Sequence, residues 1–204
     1  MTVISHGNIL AVFFQASETE LQEGKAWYAN AFEVAKAISM RYDLPGGIDT
    51  VAAVIAALSP NNRWERNVRD AESLIRVYTM GGELDALKVS SYSQNKEKAV
   101  RILKGEAPLD VLGGNKVRAF YHCIANHSDL SVCIDGHAFS IWSGQRVTTT
   151  KTPKISDKLY AKISEDYRIA ATVINQVTGA CYTARQIQAI TWVVWRNLHK
   201  GEMK

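Results

Sequence analysis

Eight consecutive residues, Val51 to Leu58, are apolar and read Val-Ala-Ala-Val-Ile-Ala-Ala-Leu. The run is bounded by Asp49, a residue type that caps helix starts, and by Pro60, which disfavours helix in the residue before it. A helix of this kind is apolar on all faces and must be buried all round. It therefore belongs at the centre of a domain, with amphipathic elements packed about it. The rest of the chain offers such elements. Trp27, Ala31, Val34, Ile38 and Tyr42 recur at steps of three and four, so Glu20 to Tyr42 reads as an amphipathic helix that stops at Leu44-Pro45-Gly46-Gly47.

The same periodicity predicts helices over about Trp64 to Thr79, closed by Gly81-Gly82, then Asn95 to Leu103 and Lys116 to Ala125. A short helix is expected after Asp135, and two long ones over Asp157 to Gln176 and Thr183 to His199. Gly144 to Pro153, with Thr148-Thr149-Thr150-Lys151-Thr152, reads as a loop, either on the surface or closing over a site. The expected class is all-α.

Composition narrows the function classes. No apolar run approaches the roughly 20 residues that span a membrane. Met1 to Ala11 has no basic segment of a secretory signal, so a cytoplasmic, soluble protein is expected. Cys123, Cys133 and Cys181, at gaps of 10 and 48, form neither a disulfide framework nor a zinc or iron–sulfur spacing. They read as buried thiols, and neither metal nor cofactor is expected. A formal charge of +4 permits nucleic-acid binding without arguing for it, so that reading rests on local features.

Three segments concentrate chemistry. In the first, the apolar helix gives way to Ser59-Pro60-Asn61-Asn62-Arg63-Trp64-Glu65-Arg66. Amides, cations and a planar aromatic at a helix end suit phosphates and unstacked bases, and equally an ordinary polar turn. In the second, Gly113-Gly114-Asn115 opens a helix whose first turn carries Lys116 and Arg118. Free N–H groups there favour an anion, although the pattern also fits a plain helix–helix turn. In the third, Val132-Cys133-Ile134 delivers Asp135 and His137 to a helix start, where Asp135 acts as a cap, a fixed carboxylate for catalysis, or both. On the last helix Gln188, Trp192 and Arg196 lie four apart on one face. They form either a packed interface with a buried cation, with Glu23 as its expected partner, or the lining of a base pocket beside Trp27 and Tyr28.

Taken in order, these segments resemble the helix-hairpin-helix DNA glycosylases of the endonuclease III type. Leu58-Ser59-Pro60-Asn61 stands where that family has a Ser-Ala-Gln-type loop. Tyr92 to Val100 matches its tyrosine-and-lysine segment. Leu112 to Lys116 matches its glycine hairpin with the catalytic lysine, and Ile134-Asp135-Gly136-His137 its Val-Asp-Thr-His segment. The chain departs from the family in a shorter hairpin, in Gly136 where the family has Thr, and in having no cysteine cluster. The whole chain is also similar to phage and actinobacterial proteins of unknown function. The shared segments are Ala57 to Pro60, Gly114 to Val117, Ile134 to Ala138 and Gln188 to Arg196.

The resemblance implies a two-lobed helical fold in one domain over 1–204. Residues 50–142 would form a lobe with a short helix-hairpin-helix element, and 1–49 with 143–204 the second lobe. It implies a monomer, in a bacterial or phage-infected cell, that acts on a modified or damaged base flipped out of DNA. Asp135 would stabilise positive charge at C1′ or activate water. Lys116, if lowered in pKa by burial or by Arg118, would displace the base and form a Schiff base. His137 would orient Asp135 or touch DNA. Asn61 would fill the vacated stack, with Asn62 beside it. Trp64 would stack on a base, and Arg63, Arg66 and Lys116 would hold phosphates, with Gly113, Gly114 and Arg118 forming the anion-binding turn. Two alternatives share the fold: an enzyme that hypermodifies thymine by way of activated hydroxymethyluracil, and a DNA-binding protein without catalysis.

Overall fold

The computed structural model describes residues 6–128, 130–147 and 153–200. All regular structure among them is helical. The helices are α1 (His6–Phe13), α2 (Glu18–Arg41), α3 (Gly47–Leu58), α4 (Trp64–Thr79), α5 (Ser93–Leu103), α6 (Pro108–Val111), α7 (Asn115–Ala125), α8 (Gly136–Ser143), α9 (Asp157–Thr178) and α10 (Ala184–Leu198). None of them is long and apolar enough to cross a membrane.

The chain forms two compact units, one from residues 29–127 and one from the described residues of 1–28 and 128–204. The first is built round α3. Every residue from Val51 to Leu58 is buried, and α3 packs against α4, α5 and α7. Its C-terminal carbonyls would be orphans in an apolar setting. Side chains from the next turn meet them: Asn67 Nδ2 donates to the Ile55 carbonyl at 3.0 Å, Ser59 Oγ to that of Ala56 at 2.8 Å, and Asn62 Nδ2 reaches that of Leu58 at 3.5 Å. At the other end the expected cap is corrected. Gly46, at φ +78°, occupies the N-cap, a left-handed conformation that glycine adopts without strain. Asp49 lies inside the first turn and is engaged by His127.

The second unit packs α1, α8, α9, α10 and the start of α2 round Ile141, Ile163, Tyr167, Ile174, Ile187 and Ile190. Thr183 and Gln186 form a reciprocal capping box at the start of α10, and Ser17 and Glu20 bond in the same reciprocal way at the start of α2. Asp166, buried in α9, accepts from the Trp142 indole N–H at 2.6 Å and from Lys162 at 3.1 Å.

Helix α1 and the one-turn helix α6 were not foreseen from periodicity, since eight and four residues are too short to display it. Helix α6 has Pro108 in its first turn, where a missing N–H costs nothing. Cys123 and Cys133 are buried as expected, but Cys181 is exposed, because it stands in the turn between α9 and the α10 cap rather than on a helix face. Thr148 to Thr152, the centre of the expected loop, lie outside the described residues.

Candidate functional site

The segment leading to Asp135 is pinned before it arrives. Val132, Cys133 and Ile134 are buried, and Tyr160 of α9 clasps their backbone. Its hydroxyl donates to the Val132 carbonyl at 2.8 Å and accepts from the Ile134 N–H at 3.1 Å. Asp135 then caps α8, one carboxylate oxygen accepting from the Ala138 N–H at 2.8 Å. The carboxylate is half-buried, and its second oxygen makes no hydrogen bond among the described residues. Below α8 the fully buried Tyr167 reaches toward the Ala138 carbonyl at 3.5 Å. Burial, and to a lesser degree the charge of Asp135, push the Tyr167 hydroxyl pKa up, so it stays a neutral donor.

His137 does not orient Asp135: no hydrogen bond joins them among the described residues. Its half-buried ring instead lies edge-on to Trp192, with centroids 6.3 Å apart. Trp192 in turn meets Trp27 edge-on at 6.3 Å and carries the Arg196 guanidinium over its face at 4.6 Å. The stripe on α10 thus divides by depth. Gln188 is buried and accepts from the Tyr28 hydroxyl at 2.9 Å, which makes it a packing residue. Trp192 is half-buried, and Arg196 is exposed. The expected buried cation paired with Glu23 is therefore corrected. Arg196 stacks on the aromatic face and stays in solvent, where a guanidinium keeps its hydration. Asp135, His137, Trp192, Trp27 and Arg196 all belong to the unit of residues 1–28 and 128–204.

In the other unit, the loop after α3 is more structural than its composition suggests. Asn62 is a clamp. Its Oδ1 accepts from the Arg63 N–H at 3.0 Å and from Arg66 Nε at 2.9 Å, while its Nδ2 donates to Asp70 at 3.2 Å. Asp70 also accepts from the Ser90 N–H at 2.8 Å, tying down the segment before α5. Asn61 stands in a left-handed conformation, φ +57°, and donates to the exposed Tyr92 hydroxyl at 2.8 Å. Trp64 is half-buried and edge-on to Phe120 at 6.5 Å. Arg63, at the N-cap of α4, is exposed.

At the hairpin, Gly114 has φ +75° and ψ 142°, a region reserved for glycine, and begins α7. Lys116 is exposed, so burial is not available to activate its amine. Arg118 is drawn away from the anion role expected of it. Its Nε donates to the Leu112 carbonyl at 2.7 Å and its Nη2 to that of Leu109 at 3.0 Å, satisfying carbonyls that α6 leaves open. Lys116 and Asp135 fall in different units.

Two positioning residues carry weak or no sequence signal. Tyr160 is one tyrosine among eight, indistinguishable by spacing. Gly24 is a lone glycine inside an amphipathic helix, a pattern that points to close packing, and a Cβ there would lie 2.4 Å from the Cα of Ile190.

One all-α unit thus carries the fixed carboxylate of Asp135 together with the half-buried rings of His137, Trp192 and Trp27. The chain belongs to the family of unknown function DUF7178, whose profile matches residues 4–199. No curated protein and no solved structure matches it.

Proposed function

We propose that this protein processes a base in DNA, as an N-glycosylase acting on a modified or damaged base held outside the stack. One observation carries the reading. Asp135 is locked by its cap bond and by the Tyr160 clasp, and the same unit presents the half-buried rings of His137, Trp27 and Trp192 with the Arg196 cation. Base stacking on aromatic side chains contributes about 1–3 kcal/mol per base, and a carboxylate suits the positive charge that develops on the sugar. The order α6, glycine turn, α7 supports a helix-hairpin-helix element, and the exposed cations Arg63, Arg66 and Lys116 supply phosphate contacts in the other unit.

The exposure of Lys116 favours hydrolysis over a lysine-linked intermediate. Water bonds to C1′ as the bond from C1′ to the base nitrogen breaks. Asp135 takes the proton from water, and the departing base takes one from solvent. The test is base release from duplex oligonucleotides carrying uracil, hydroxymethyluracil, other modified pyrimidines or oxidised purines, with and without borohydride. Free base without a trapped adduct, reduced about 100-fold or more in Asp135→Asn, is the expected result. An adduct lost in Lys116→Ala would restore the lyase mechanism. Salt-sensitive DNA binding with no release from any substrate would refute the glycosylase and leave base modification or binding alone.

A further inference from the structure

One cluster of titratable groups is made of residues that have no part in the site proposed above. At the end of α7, the Nδ1 atoms of His122 and His127 face each other at 3.3 Å. His127 Nε2 lies 2.7 Å from Asp49 Oδ1, in the first turn of α3. All three residues belong to the unit of residues 29–127. Asn126, left-handed at φ +59°, turns the chain so that His127 comes back beside His122. The Tyr121 ring packs at 5.1 Å from each imidazole.

The geometry selects among the uses of such a pair. The ring centroids are 5.5 Å apart and the facing nitrogens 3.3 Å, so both nitrogens lie close to the line joining the rings. Their lone pairs oppose each other and do not converge on a third point, as metal ligation would need. No group of three His, Cys, Asp or Glu side chains converges among the described residues either. One proton between the two nitrogens fits. The Asp49 carboxylate accepts only, so it holds a proton on His127 Nε2. With both rings neutral, His127 Nδ1 is bare and accepts from His122. With one extra proton, His127 is the cation beside Asp49 and donates to His122. A second extra proton places two N–H groups head to head, and the hydrogen bond becomes a repulsion.

We propose that His122, His127 and Asp49 form a proton-gated clasp at the end of α7, in which the bond between the two histidines is kept while at most one of them is charged and is lost when both are, His127 staying on Asp49 of α3 throughout. The charged and titratable groups that face the pair agree with this order. Among the described residues Asp49 on α3 is the only anion acting on His122, and it lies against His127. Arg118, on α7, adds positive charge near His122. Burial first, then His127 and Arg118, hold His122 below the usual histidine range against the opposing pull of Asp49. Tyr121 stays neutral throughout, its hydroxyl pushed up to about 12 by burial and by Asp49. The clasp is independent of the activity proposed above.

The test follows imidazole nitrogens by NMR and amide-exchange protection, corrected for intrinsic rate, from about pH 8 to about pH 5. Two coupled steps are expected. In the second step, protection at residues 122–127 should fall by roughly tenfold, the factor that one hydrogen bond to a charged group represents, while residues 47–51, held by the His127–Asp49 pair, and the α4 and α5 cores keep theirs. In His122→Gln the protection should lose its pH dependence. Independent titration of the two rings at the ordinary value would overturn the clasp, as would protection unchanged to pH 5 or a His122→Gln protein that responds like the wild type. The wild-type titration decides the matter alone should the variant fail to fold.

Discussion

Gly24→Ala offers a test of the packing that positions the aromatic wall, because two effects of known size oppose each other there. Gly24 lies in the interior of α2, where alanine is favoured over glycine by about 1 kcal/mol. On propensity alone the substitution stabilises. The structure predicts the reverse. A Cβ at Gly24 would stand 2.4 Å from Ile190 Cα, 2.7 Å from its backbone N and 2.7 Å from its Cγ1. Carbon atoms settle at about 3.5–4.0 Å, so α2 and α10 must separate locally by roughly 1 Å. Two of the three obstacles are backbone atoms, and no rotamer change of Ile190 removes them. Overpacking of this kind costs about 1–3 kcal/mol, occasionally more. Taking the upper end against the propensity gain leaves a net loss of about 2 kcal/mol, or about 4–8 °C in Tm for a chain of this size.

Ala37→Gly provides the control. Ala37 is exposed on the same helix, so that exchange should lose about 1 kcal/mol through propensity alone. Glycine is thus preferred at 24 and alanine at 37. Thermal and chemical denaturation measure both. Separation of the helices also moves Tyr28 from Gln188 and Trp27 from Trp192, so the near-ultraviolet circular dichroism of Gly24→Ala should change before unfolding begins. A Gly24→Ala midpoint equal to or above the wild type would refute the close approach of α2 and α10.

Asn67→Ala should destabilise by about 1–3 kcal/mol, since it leaves the buried Ile55 carbonyl without its donor; denaturation midpoints check this. Arg63→Ala should weaken DNA binding and reduce its salt slope by about one. Arg118→Ala should instead leave the slope near the wild-type value and lower stability, because that guanidinium is committed to the Leu109 and Leu112 carbonyls; parallel salt titrations separate the two. On the acid side, the Asn197 amide, then Ser17, hold the Glu20 carboxyl below its ordinary value of 4.5. Its contribution to stability is therefore present above that value and is lost as pH falls through the depressed one. Asn197→Ala should shrink the loss of stability on acidification, read from melting temperatures across the acidic range.

The helical frame was legible because burial writes period into sequence. The third helix was read with the bounds it has, Trp64 to Thr79, because a polar loop and Gly81-Gly82 bracket an unbroken apolar stripe. Cap chemistry was less legible. Asp49 has the composition of a cap, yet a left-handed Gly46 takes the position, and no local rule foresees a histidine 78 residues away claiming the carboxylate. The functional segments show the same limit more sharply. Arg118 and Asn62 have the composition of a phosphate site. Whether a guanidinium or amide faces solvent depends on which carbonyls and carboxylates its own fold leaves open, and here α6, Leu58 and Asp70 claim them.

Asp135 is the opposite case. Its role as a cap is seen in the structure, and its proposed role in chemistry makes a compatible demand, a carboxylate held in one orientation. The cap engages one oxygen through the Ala138 N–H, and the Tyr160 clasp holds the backbone before it. Asp135→Asn keeps a capping oxygen and removes the charge, whereas Tyr160→Phe keeps the charge and loosens the segment that holds it. Loss of base release in the first variant, with the melting temperature retained, and a graded loss in the second would separate the carboxylate's chemistry from its structural duty. Equal melting losses without any change in base release would assign Asp135 to the fold alone.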